Sequence, residues 1–227
     1  MPNRHKSLCC YHSGVADTAN SSLPRVLQTV FVDRDGVLNV KMPEGHYVTR
    51  WSEFHILPGA VAAIAHLNQA RVRVLVVSNQ RGIALGLYKG EDVEAIQFEF
   101  QKTLGTRGAH IDGFYFCPHD KGQCNCRKPL PGLFEQAVAD FPSISAATSV
   151  MIGDSLSDIQ FGRGLGMTTA LIDGVADRQK HDTAEARALA DLRFSSLDEA
   201  ANCLLAGRDG DGSASGTMCL GLPTKPR

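Results

Sequence analysis

Nowhere in the 227 residues do about 18 apolar residues run together, so no segment reads as a membrane-spanning helix and no membrane partner is expected. Surplus charge is also missing. The chain carries 23 Lys and Arg against 24 Asp and Glu, a net charge of −1, with no basic stripe. A protein built to grip nucleic acid usually shows such a stripe, so no nucleic-acid partner is expected. The opening MPNRHKSLCCYHSGVADTANSSLP lacks the apolar core of a secretory signal. It is polar, Ser-rich and short of acids, which leaves a disordered tail or an organelle transit peptide as readings. A disulfide framework is absent too. The seven cysteines are odd in number, with three bunched between Cys117 and Cys126 and the rest (Cys9, Cys10, Cys203, Cys219) in or near the ends. That usage suits a reducing, cytoplasmic setting with one local thiol site. No internal repeat is visible.

Between the ends, strand-like and helix-like segments alternate. Apolar, β-branched runs predict strands at 25–32, 72–78, 110–116, 148–154 and 167–173, with a final edge strand in LRFSS (192–196). Helical spacing predicts helices over 60–70, 91–104, 131–141, 156–166 and 197–205. A long irregular loop follows the first strand as far as Leu57. Near-continuous apolar strands alternating with helices imply an α/β fold: a three-layer, Rossmann-like parallel sheet with helices on both faces. The expected division is a disordered tail at 1–26, one catalytic-sized domain at 27–205 and a Gly/Ser/Asp-rich disordered tail at 206–227.

In such sheets ligands bind beyond the carboxyl ends of the strands. Four consecutive ends carry chemistry: DRDG with Asp33, Asp35 and Asn39 nearby; SNQR with Ser78, Asn79, Gln80 and Arg81; a thiol cluster ending in Arg127 and Lys128; and GDSLSD with Asp154 and Asp158. Each motif alone is compatible with a turn or a helix cap. Their placement at one edge points to a shared active site. Clustered carboxylates repel one another and suit a hard divalent cation such as Mg²⁺. The Ser78 hydroxyl and the Lys128 amine are the complement of a phosphoryl group. Asp33 is placed to attack phosphorus, and Asp35, two residues on, to act as acid and then base.

Together DRDG, SNQ, RKP and GDSLSD resemble the haloacid dehalogenase superfamily of aspartate-nucleophile phosphatases, over about residues 27–205. The resemblance implies Asp33 as nucleophile and Asp35 as acid/base, the latter lending Mg²⁺ a backbone oxygen. It implies that Ser78 and Lys128 hold the phosphate and that Asp154 completes the metal site. Asp158 has two readings, a supporting acid or a helix-surface residue. No insertion of domain size interrupts the core, so the enzyme is expected to lack a cap domain. Selectivity then falls to short loops carrying Lys41, His46, Tyr47, Arg81 and Arg127, with Asn39, Asn79 and Gln80 also expected at the substrate. For His46 and Tyr47, loop packing is the other reading.

Cys117 and His119 form one short pair and Cys124 and Cys126 another, separated by four residues. Two such pairs folding back on each other fit tetrahedral Zn²⁺; a disulfide or inert thiols are the alternatives. Four protein ligands leave no open position, so this zinc is expected to be structural and to fix the loop that delivers Arg127 and Lys128. Two zinc-bearing branches of the superfamily are similar to the chain. NQRGIALG and the run from Asn39 to Gly59 resemble the heptose bisphosphate phosphatases, which implies removal of the 7-phosphate of D-glycero-D-manno-heptose 1,7-bisphosphate. The short zinc loop resembles the histidinol-phosphate phosphatases. A nucleic-acid 3′-phosphatase and a non-catalytic zinc-stabilised binding module are further alternatives. The expected partner is a small phosphorylated sugar or metabolite, and the expected state a monomer.

Overall fold

A computed structural model describes residues 26–173 and 182–207. Apart from Val26, Ala206 and Gly207, the tails expected at 1–26 and 206–227 lie outside the described residues. Six strands form one sheet: β1 (Thr29–Val32), β2 (Arg73–Asn79), β3 (Gly113–Cys117), β4 (Ser149–Gly153), β5 (Thr168–Ile172) and β6 (Leu192–Phe194). All neighbours are parallel, in the order β3-β2-β1-β4-β5-β6. The six helices are α1 (Ala60–Gln69), α2 (Gly90–Gly105), α3 (Gly132–Asp140), α4 (Leu156–Leu165), α5 (Asp182–Leu189) and α6 (Leu197–Ala206).

Strand alternation builds the three layers. Val30, Val32, Val74, Val76, Val150 and Ile152 point to one face and pack on α1, α2 and α6. Phe31, Leu75, Val77 and Met151 point to the other, against Leu133 and Ala137 of α3 and Phe161 of α4. Each buried side chain of this size stabilises the fold by about 1.5–3 kcal/mol. Because both faces are covered, the central strands read as unbroken apolar runs rather than as alternating ones.

The expected elements are all present, with shifted ends. The strand expected at 110–116 begins only at Gly113. Upstream, His110 and Ile111 donate their amides to the side chains of Asn68 and Gln101 instead of to a neighbouring strand. Helix α5 was not anticipated; Ala186 on it and Ala190 just past its end pack with Ile159 and Leu171, but small, scattered apolar residues give it little periodic signal.

From β1 the chain moves outward through β2 and β3, then crosses back to β4 on the other side of β1. The direction of winding reverses at β1 and β4. Side loops diverge there, opening a crevice above the carboxyl ends of the two strands.

Candidate active site

Asp33 directly follows β1, and its amide donates to the Ile152 carbonyl of β4 (2.9 Å), which fixes it over the crevice. Asp154 directly follows β4, and Asp158 stands one turn into α4. Oxygens of Asp33, Asp154 and Asp158 lie within 4.8 Å of one another. Asp158 is fully buried and serves two neighbours. One oxygen caps α4, accepting from the Ser155 amide (3.1 Å) and hydroxyl (2.6 Å). The other pairs with Lys128 at 2.6 Å. Of the two readings of Asp158, the supporting acid is therefore the one its position fits. Gly153 makes room for it, since a Cβ there would lie 2.2 Å from the Asp158 Cβ.

Lys128 is the hub. Its buried amine donates to Asp33 Oδ1 (2.9 Å) and to the Val77 carbonyl (2.7 Å), besides pairing with Asp158. The backbone of Lys128 is held at both ends by one side chain: Asn79 Nδ2 donates to its carbonyl (3.1 Å), and its amide donates to Asn79 Oδ1 (3.0 Å). Burial opposes the ammonium charge, but Asp158 and Asp33 outweigh it and push the Lys128 amine up to about 12. Burial, followed by the Asp158 and Asp154 charges, pushes the Asp33 carboxyl the other way, up to about 7 against the pull of Lys128 and Lys41. Lys41, on the loop after β1, reaches both oxygens of Asp154 at 2.6 Å.

The Asp35 carboxylate faces a different set of groups. Arg34 grips it through Nε (3.1 Å) and Nη2 (2.8 Å), Asn39 Nδ2 donates to it at 3.0 Å and Gln80 Nε2 at 3.3 Å. Burial raises the Asp35 pKa, yet Arg34 and these donors more than offset it, leaving the carboxyl below its ordinary value. Gln80 in turn donates to the Ser78 hydroxyl (3.1 Å) and accepts from the Tyr88 hydroxyl (2.7 Å). Gly82 lies under that tyrosine ring, where a Cβ would come within 2.1 Å of Tyr88 Cε1.

Donors of Cys117, His119, Cys124 and Cys126 also fall within 4.8 Å of one another. Sγ of Cys117 is 3.5 Å from Sγ of Cys124 and 3.8 Å from Nδ1 of His119, and that nitrogen is 3.3 Å from Sγ of Cys126. Ligands at about 2.3 Å on a tetrahedral ion stand roughly 3.8 Å apart. Four soft donors at nearly that spacing therefore fit a tetrahedral metal. Burial raises the Cys124 thiol, but contacts with Cys126 and the Arg127 amide bring it down to about 7. The acid trio, all oxygen, fits a hard divalent ion instead.

A cavity of about 680 Å³ opens over these groups, lined by Asp33, Asp35, Lys128, Asp158, the 41–48 loop and part of the Cys/His loop. Tyr47, Asn79, Arg81 and Arg127 reach it, as do Lys41 and His46. Asn39, Ser78 and Gln80 are buried beneath it and are occupied with Asp35 and with one another. Arg81 pairs with Asp120 of the Cys/His loop at 2.6 Å, tying two rims together. Nη1 of Arg127 is buried without a partner. Sequence reasoning missed Arg34 and Tyr88, and it gave Lys41 no partner. Arg34 had a signal in its place between two aspartates. Tyr88 had none, because its partner lies eight residues away across a loop.

Three acids and a buried amine at the switch point of a parallel α/β sheet fit an enzyme that acts on an anionic group with the help of a divalent ion. Sequence comparison narrows this. A family model described as HAD-hydrolase-like matches residues 125–200. The chain is 38% identical over 171 residues to the D-glycero-alpha-D-manno-heptose-1,7-bisphosphate 7-phosphatase of Mycobacterium tuberculosis, covering 75% of this chain and 87% of that one. It is 34% identical over 176 residues to the D-glycero-beta-D-manno-heptose-1,7-bisphosphate 7-phosphatase of Yersinia pestis, covering 74% and 90%. The crystal structure of a D,D-heptose 1,7-bisphosphate phosphatase from B. bronchiseptica, complexed with magnesium and phosphate, superposes with a TM-score of 0.68 at 30% identity, over 79% of this chain and 99% of that one. The chain belongs to the haloacid dehalogenase-like phosphatases, in the group of these sugar bisphosphate enzymes. Among the described residues no helix is long and apolar enough to cross a membrane.

Proposed function

We propose that the protein removes the 7-phosphate of D-glycero-D-manno-heptose 1,7-bisphosphate through an aspartyl-phosphate. The observation that carries this reading is the Lys128 amine wedged between Asp33 and Asp158 at the floor of a cavity that also holds Arg127. The names of the relatives supply the sugar. Asp33 attacks phosphorus, a new P–O bond forms, and the bond to the sugar oxygen breaks. Asp35 protonates the departing oxygen. It then takes a proton from the water that attacks the same phosphorus, inorganic phosphate leaves, and Asp33 is restored. Arg34 favours the base form of Asp35, so the proton for the departing oxygen is taken up from solvent before the first step, and the base form left behind is the one the second step needs. Lys128 and Ser78 steady the phosphoryl group, the first directly and the second from beneath the cavity floor.

Asp33, Asp154 and Asp158, with a backbone oxygen of Asp35, would hold Mg²⁺, which supplies neutralisation of the phosphoryl charge when bound. Cys117, His119, Cys124 and Cys126 would hold Zn²⁺, which supplies a rigid loop. Arg127 is proposed to meet the phosphate that stays on the sugar, since it lines the cavity and its planar fork suits phosphate oxygens. The protein is proposed to act as a cytoplasmic monomer without nucleic-acid or membrane partners, in keeping with its net charge of −1.

The test is phosphate release by the purified protein with Mg²⁺, comparing both anomers of the heptose bisphosphate with histidinol phosphate. Preference for a bisphosphate, with the 1-phosphate left as product, is expected. Preference for histidinol phosphate would make the short Cys/His loop the better guide to the substrate.

A further inference from the structure

The 41–48 loop contributes one cation to the acid cluster, and that cation has two claims on it. Lys41 Nζ lies 2.6 Å from each oxygen of Asp154. The pair is well shielded, with the Lys41 side chain 25% exposed and that of Asp154 5% exposed. A carboxylate whose two oxygens both accept from an ammonium must release at least one of them to ligate a divalent ion. Lys41 and the ion are therefore competitors for Asp154, whereas Lys128 keeps an anchor outside the acid cluster, the Val77 carbonyl.

Charge decides where Lys41 goes. Three carboxylates against the amines of Lys41 and Lys128 leave the cluster one negative charge, because Arg34 and Asp35 cancel. Adding a divalent ion turns that into one positive charge, and the ion then repels the nearby ammonium. A phosphoryl dianion entering the cavity reverses the sign again and offers oxygen acceptors. Lys41 lines that cavity, and its four-carbon stem gives the amine reach without moving the backbone.

We propose that Lys41 is an exchangeable clamp: it gives up Asp154 to the divalent ion and passes to the phosphoryl oxygens of the substrate, so that metal loading arms substrate binding. This rests on the phosphatase reading above but not on the identity of the sugar.

The test uses the full zinc-loaded chain and two calorimetric titrations, neither with a sugar. In the first, Mg²⁺ is titrated into wild type and Lys41→Met. With its competitor removed, the variant is expected to bind Mg²⁺ roughly three- to tenfold more tightly. In the second, inorganic phosphate is titrated at saturating Mg²⁺, and the variant is expected to bind it roughly three- to tenfold more weakly. Equal or weaker Mg²⁺ binding by Lys41→Met would overturn the proposal and make Lys41 a support for Asp154. Tighter Mg²⁺ with unchanged phosphate binding would overturn it too, leaving Lys41 only a competitor. Should Lys41→Met lose its zinc or its fold, Lys41→Arg decides. Its guanidinium fork matches a carboxylate better, so it should weaken Mg²⁺ binding while phosphate binding persists; unchanged Mg²⁺ affinity in that variant would sink the idea. A wrong sugar assignment would leave all these results unchanged.

Discussion

The molecule holds two ligand clusters of similar size and opposite construction. The Cys/His cluster is local: its four residues span ten positions of one loop. The acid cluster is global: Asp33 comes from the end of β1, while Asp154 and Asp158 come from the end of β4 and the start of α4. The first is anchored where Cys117 and Cys126 pack into the core beside α3, and an ion there would tie the rest of the loop to them. The second is held by the sheet, where an ion would add chemistry rather than shape. Lys128 joins them, with its backbone at the end of the thiol loop and its amine in the acid cluster.

The sharpest way to expose this difference is to remove one group from each side. Asp33→Asn should lower phosphate release by at least about a thousandfold while leaving the circular dichroism spectrum and zinc content unchanged. Retained turnover would refute Asp33 as nucleophile. Lys128→Met leaves buried carboxylates without their ammonium. It should cost about 3–5 kcal/mol in denaturant unfolding as well as most of the activity.

Cys124→Ser should act only on the local side. Zinc content by mass spectrometry should fall, and turnover should drop by about 10–100-fold as the loop loosens. The sheet should survive, because Asn79 still holds Lys128. Global unfolding of this variant would mean that the thiol loop is part of the core after all. Acid should weaken the other cluster. Asp33 has to lose its proton to take a divalent ion, and its pKa is raised to about 7. Mg²⁺ affinity measured by calorimetry should therefore fall as pH drops through that value, by about tenfold between pH 8 and pH 6. The smallest effect is expected at Gly82. Replacement by Ala forces the Tyr88 ring to move, and should cost about 1–3 kcal/mol of stability without touching either ligand set.

The same contrast explains what could be read in the chain. Cys117, His119, Cys124 and Cys126 were legible from spacing, because a local site writes its geometry into consecutive residues. Asp33, Asp154 and Lys128 were legible only after the strands were placed, since a parallel sheet sends its strand ends to one edge. The membership of the acid trio was not fully legible. Asp158 reads equally well as a supporting acid or a helix-surface residue, and the structure buries it within reach of Asp33 and Asp154, while Arg34 grips the Asp35 carboxylate. Both aspartates follow the strand in the same motif and both line the cavity, but the arginine between them occupies the Asp35 carboxylate. Asn39 and Gln80 read as substrate ligands because they are polar and near the edge, and their burial under Asp35 depends on loop packing that no periodicity records.

The split origin of the acid trio has a consequence for a chain being made on a ribosome. Synthesis runs from the N-terminus, and a domain generally folds as a unit. The proposed nucleophile is made early, and the thiol loop with Lys128 follows it. Asp154 and Asp158, however, arrive only with β4 and α4. A nascent chain therefore carries Asp33 without the other two acids until β4 and α4 are made, and a fragment that stops before them holds the proposed nucleophile with an incomplete acid trio.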